Sequence, residues 1–198
     1  MKKFVIGFLL ATFSICVFLA SLPVRADSAA PKDEEMEPYV TFPTLYVLDV
    51  PVVGQIRDFE CWAACGSSVC RYYGYNVSKD QFAILTGITD NRMATFQDMI
   101  PTFNRYGLYP HEIIAPLSFN IVQSIIYNES EPIIADVTYH AAVIDGYSYE
   151  ARQKVRIMDP RKQGTRFYAD YFELADKDGE GKVAPGIEMR WIRTLYGF

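Results

Sequence analysis

Apolar residues recur along this chain in three rhythms. Phe4–Ala20 is an uncharged run, residues 61–127 place apolar side chains at three- and four-residue steps, and the chain after Glu131 breaks into short β-rich runs. The middle rhythm predicts helices. Trp62, Cys65, Val69 and Tyr72 share one helical face that begins at or beside Cys61 and ends at Gly74, a left-handed cap. Ser78 with Gln81 three residues on forms a capping box, Val77 and Phe82 can form the staple, and Gly87 stops that second helix. Thr95–Tyr106 is a third amphipathic segment that Pro101 should kink or split, and Ser118 caps a fourth, Phe119–Tyr127.

Strands are expected over Pro132–Thr138, His140–Tyr147, Lys154–Met158, Arg166–Tyr168 and Glu188–Leu195. Leu45–Val53 is also β-like, but Pro51 restricts it to an edge or an extended approach. Ala175–Lys182 reads as a charged hairpin turn. Its spacing echoes a calcium loop, yet Ile187 stands where a bidentate Glu is required. Helices first and strands later is an α+β pattern, with helices gathered on one side of a mainly antiparallel sheet.

The first rhythm belongs to export. Two lysines precede the apolar run, and Val24 and Ala26 are the small residues a signal peptidase reads, so residues 1–26 are expected to be a signal peptide and the protein secreted or periplasmic. A retained anchor is the alternative, because Phe4–Ala20 reaches the lower end of the length of a membrane span. Residues 27–44 would form a flexible leader and residues 45–198 one domain, with no stable membrane insertion after cleavage and a monomer as the expected state.

Without Lys2, Lys3 and Arg25, 16 of the 19 basic residues face 24 acidic ones, a net charge of about −8. No basic stripe carries interleaved aromatics, so nucleic acid is not an expected partner. Cys61, Cys65 and Cys70 lie within ten residues and suit neither a disulfide framework nor a zinc site, the only histidines being His111 and His140. His111 is read as structural, in a loop.

Cys61 stands where the polar turn Gln55–Glu60 becomes a helix. Free backbone N–H groups and the positive end of the helix dipole favour a thiolate there, and the thiolate is the nucleophilic form of cysteine. An imidazole would complete such a site by taking and returning the proton, and a carboxylate or amide would hold the imidazole in place.

With Gln55 six residues before Cys61, Trp62 directly after it, His140 opening the run AAVIDGY, and Asp159-Pro160 closing the next strand, the chain resembles the papain-like cysteine peptidases. It is most similar to their compact bacterial branch, which includes the C39-like bacteriocin-leader peptidases and AvrRpt2-type effectors. The resemblance covers most of residues 48–174. It implies a papain-like fold, an N-terminal helical half carrying Cys61 packed against a C-terminal sheet, and no cofactor or metal. It further implies Cys61 as nucleophile, His140 as general base and acid, Asp159 as the orienter of His140, and Gln55 with the Cys61 N–H as donors to the oxyanion. Asp58 replaces the disulfide cysteine of the animal and plant enzymes, and Asp159 replaces their Asn. The 79-residue step from Cys61 to His140 is also shorter than theirs.

Pairing of the two strands through the 147–153 turn would bring His140 and Asp159 to one end of the sheet. Asp145, the rival carboxylate, should project from the opposite face. The expected activity is hydrolysis of a protein or peptide substrate through a thioester. An acyl-transferring or isopeptide-cleaving enzyme with the same residues, or a non-catalytic binding module on this fold, are the alternatives.

Overall fold

The computed structural model describes residues 41–198. The expected signal peptide and leader residues 27–40 lie outside them. Helix α1, Cys61–Tyr72, is buried over its first ten residues, on every face. A helix buried all round must be narrow, and α1 is built from Ala63, Ala64, Gly66, Ser67 and Ser68. The two serines do not strand their hydroxyls: Ser67 donates to the Val77 carbonyl at 2.7 Å and Ser68 accepts from the Val53 N–H at 3.2 Å.

Helix α2, Lys79–Thr86, carries the expected capping box between Ser78 and Gln81 and ends at Gly87, φ 78°. Its Phe82 lies so close to α1 that a Cβ on Gly66 would meet the ring at 2.3 Å, so only glycine allows this approach. Phe82 is fully buried, and truncation to Ala would cost about 3–5 kcal/mol. Helix α3, Phe96–Asn104, runs unbroken through Pro101, where a kink or split was expected. The carbonyl that Pro101 cannot serve belongs to Gln97, and both residues are exposed, so water can take the place of the missing bond. Helix α4, Phe119–Ser124, widens into a π turn over Ile125–Glu129 instead of ending at Tyr127, and Ser130 closes it in the left-handed region.

The strands are β1 (Leu45–Val47), β2 (His111–Ile113), β3 (Ile133–Val137), β4 (His140–Ser148), β5 (Lys154–Asp159), β6 (Thr165–Asp170), β7 (Lys182–Ala184), β8 (Ile187–Glu188) and β9 (Trp191–Tyr196). A short helix α5, Tyr171–Ala175, follows β6. The main sheet is antiparallel with order β2-β9-β3-β4-β5-β6, and β1 pairs with the far half of β4. Alternation fails on β4, whose first eight residues are all buried, because α1 covers one end and neighbouring strands flank it.

Two expectations are corrected here. His111 sits in a strand, β2, paired with the distant β9, and not in a loop. The hairpin is not Ala175–Lys182: that segment links α5 to β7, and the turn of the β7–β8 hairpin falls at Pro185-Gly186, with Gly186 at φ 73°. Pro-Gly supplies the fixed first φ and the free second one that such a turn needs.

Candidate active site

Three elements meet at one end of the sheet. Helix α1 begins at Cys61 itself, and nothing among the described residues accepts a hydrogen bond from the Cys61 backbone N–H. Residues β3 and β4 are joined by only Thr138 and Tyr139, with Val137 paired to His140, so the histidine is fixed one residue from a tight turn. Tyr139 takes φ 60° to close that turn. The Thr138 N–H and the Arg190 carbonyl, 3.0 Å apart, tie the turn to the approach to β9. Asp159 is the last residue of β5.

His140 Nε2 and Asp159 Oδ1 are 2.7 Å apart, both side chains nearly buried. Cys61, itself only 2 % exposed, is the second group that acts on the imidazole. Since Nε2 faces the carboxylate, Nδ1 is the nitrogen left for sulfur. Burial alone would lower the His140 pKa, but the bonds to Asp159 and Cys61 outweigh it and raise it above its ordinary value. Burial likewise works against Asp159, yet His140 and Arg161 hold its carboxyl well below the usual range. Arg161 forks onto this carboxylate: Nη2 meets Oδ2 at 2.7 Å, Nε meets Oδ2 at 2.9 Å, and the Arg161 backbone N–H meets Oδ1 at 2.9 Å.

Gln55 is placed beside this group but not free. Its backbone N–H donates to the Pro160 carbonyl at 2.8 Å, which ties the Gln55 turn to the residue after Asp159. Its Nε2 donates to the carbonyls of Arg57 and Asp58, both at 3.1 Å, and its buried Oε1 has no partner.

The other thiols differ. Burial pushes Cys65 well above the ordinary thiol range, with Cys61 and Asp159 adding to the shift, and burial pushes Cys70 up to about 12. Among the described residues, Cys61, Cys65 and Cys70 are all unpaired. Asp145 stands away from the site, bound to Arg156 and Arg166. No group of three or more His, Cys, Asp or Glu among the described residues could hold a metal ion.

Two groups escaped the sequence reading, Arg161 and a buried pair formed by Glu60 and Lys79. Glu60 Oε2 accepts from Lys79 Nζ at 2.7 Å. The signal was present in the charges: Lys79 opens α2, where the helix dipole disfavours a cation, and Glu60 directly precedes a cysteine whose useful form is an anion. Each is misplaced alone and explained by the other.

The model of the Peptidase_C39 like family matches residues 47–177, spanning Cys61, His140 and Asp159. The chain belongs to that family. It is a cysteine peptidase, and its α+β architecture with a large antiparallel sheet is that of C39 peptidase domains. The peptidase domain of Streptococcus ComA, a bifunctional ABC transporter of a quorum-sensing pathway, is 18% identical with a TM-score of 0.51, over 75% of this chain and 98% of that domain. A double glycine motif protease from an AMS/PCAT transporter, solved with its leader peptide, is 21% identical with a TM-score of 0.46, over 62% and 81% of the two chains. At such identities the likeness to ComA is one of fold. No curated protein matches this chain.

Proposed function

We propose that this C39-like peptidase hydrolyses peptide bonds through Cys61, His140 and Asp159. The observation that carries the reading is a single buried imidazole 2.7 Å from a buried carboxylate and electrostatically coupled to the sulfur at a helix start. The Cys61 thiolate attacks the scissile carbonyl carbon, and the carbonyl oxygen becomes an oxyanion facing the unoccupied Cys61 N–H. Gln55 Nε2 can join that donor by releasing one of its two carbonyl partners. Collapse expels the amine, which takes the His140 proton, and leaves a thioester. His140 then takes a proton from water, the hydroxide adds to the thioester, and the carboxylate departs as the thiolate re-forms.

Asp159 keeps His140 in the tautomer that presents Nδ1 to sulfur. The substrate class is a peptide or protein, a reading supported by the family. Export remains part of the proposal, on the strength of the 1–26 pattern. N-terminal sequencing of the processed protein tests it, with Asp27 as the expected first residue.

The activity is tested by comparing wild type with Cys61→Ala in an N-terminomics experiment and by iodoacetamide labelling. Cys61 should alkylate far faster than Cys65 or Cys70, whose buried thiols stay protonated. Equal reactivity of the three, or new N-termini that persist in Cys61→Ala, would refute it.

A further inference from the structure

The turn between Gln55 and Cys61 must hold its shape if its donors are to converge on one oxygen, and the structure shows what holds it. Glu60 is 6 % exposed and makes no bond to the first N–H groups of α1, the usual partners of a residue at that position. Its carboxylate reaches backwards instead. Oε2 accepts from the backbone N–H of Arg57 at 3.0 Å and of Ile56 at 3.3 Å, and from Lys79 Nζ at 2.7 Å, while Oε1 accepts from Arg57 Nε at 2.6 Å.

Gln55 supplies the complement, since its amide serves the carbonyls of Arg57 and Asp58. Glu60 therefore takes two N–H groups of the turn, those of Ile56 and Arg57, and Gln55 two of its carbonyls, those of Arg57 and Asp58. The far end of the turn is anchored to Pro160, next to Asp159. We infer that Glu60 is a positioning residue for acyl transfer, an anion that fixes the 55–58 turn against the nucleophile helix so that the Gln55 amide, once it releases one of its carbonyls, can face the same oxyanion as the Cys61 N–H.

A carboxylate one residue from a catalytic thiolate would ordinarily work against it. Lys79 and Arg57 resolve the conflict by neutralising Glu60, and their bonds hold its carboxyl down at about 2 against the opposing effect of burial. Both oxygens are committed to four donors, so Glu60 has no capacity left to act as a base. Lys79 is nearly buried too, and its second bond, to Asp80 at 2.9 Å, fixes the ammonium from the solvent side.

This inference rests on the peptidase reading, and one experiment separates the two. Alkylation by iodoacetamide displaces iodide at a saturated carbon and develops no oxyanion, whereas peptide hydrolysis does. Glu60→Gln should lower kcat for a peptide substrate about 10- to 100-fold, below the loss expected for deleting an oxyanion donor outright. KM should stay within about threefold and the alkylation rate of Cys61 within about threefold. Lys79→Met, which removes one donor and leaves the turn bonds in place, should show the same split at about three- to tenfold in kcat, and it carries the test if Glu60→Gln fails to fold.

An unchanged kcat, or alkylation falling in step with kcat, would overturn the role assigned to Glu60 while leaving the peptidase reading intact. Hydrolysis surviving in Cys61→Ala, run in the same assay, would remove both.

Discussion

Two buried aspartates stand on the neighbouring strands β4 and β5, and each is gripped by arginine, but only one touches a histidine. Asp145 Oδ1 accepts from Arg156 Nε at 2.7 Å and Oδ2 from Arg166 Nε at 3.0 Å. The same guanidiniums extend to the carbonyls of Leu48, at 2.6 Å, and Val50, so one carboxylate ties β4, β5, β6 and the approach to the active-site turn. Asp159 shares its oxygens between Arg161 and His140. Arginine never releases its proton, so the Asp145 cluster is chemically closed. Imidazole can, so the Asp159 cluster is chemically able to pass a proton on. Their acidities diverge as well: burial pushes Asp145 above the usual carboxylate range despite two arginines, while Asp159 is drawn below it.

The comparison is broken most severely by Asp145→Ala, which leaves two arginines without their shared anion. We expect a stability loss of about 3–5 kcal/mol in urea unfolding. The partial exposure of Arg166 places the result toward the lower figure. The kcat/KM per folded molecule should stay within about twofold. Asp159→Ala should invert the pattern, lowering kcat/KM by about 100-fold, as for loss of a well-placed acid–base partner, with the smaller change in unfolding free energy.

Asp159→Asn sharpens the same contrast through pH. The carboxylate favours the imidazolium, so the alkaline limb of kcat/KM in wild type should lie above pH 6.5, and the neutral amide should move it down. The stability effects have fixed signs. His140, raised in the fold, stabilises fully below about pH 6.5 and loses this as pH rises through its folded pKa. Asp159, lowered in the fold, stabilises above about pH 3.9 and loses this as pH falls through its folded pKa. Urea midpoints measured across pH should therefore peak between those limits, and Asp159→Asn should flatten the peak. Arg161→Met should do least, at most about fivefold in kcat/KM, because that guanidinium is half exposed and its pairing is screened.

Local chemistry made much of the architecture readable from the chain. Ser78 with Gln81, Gly87, and the step from polar turn to Cys61 are signals contained within a few residues, and each marks the element that forms. His140 and Asp159 were readable because their positions at strand ends imply adjacency once the strands pair. What escaped depends on distant partners. Strand β2 is three residues long and exists through β9, more than eighty residues away. Glu60 needs Lys79, 19 residues on, to be anything but a turn residue. Arg161 was near in sequence, but its fork onto Asp159 depends on the 3-10 turn Arg161–Gln163, which has no apolar rhythm to announce it. The hairpin was misplaced because charge density at Ala175–Lys182 outweighed the quieter Pro185-Gly186.

The sheet order bears on biosynthesis. Strand β9, residues 191–196, is threaded between β2 and β3, so strand β4, which carries His140, acquires its complete support only after the ribosome has passed residue 196. A nascent chain stopped before Arg190 would expose two bare strand edges and leave the Thr138–Tyr139 turn without the Arg190 carbonyl. Such a fragment should be proteolytically inert and prone to self-association, which confines cleavage activity to molecules whose translation has run past the last strand.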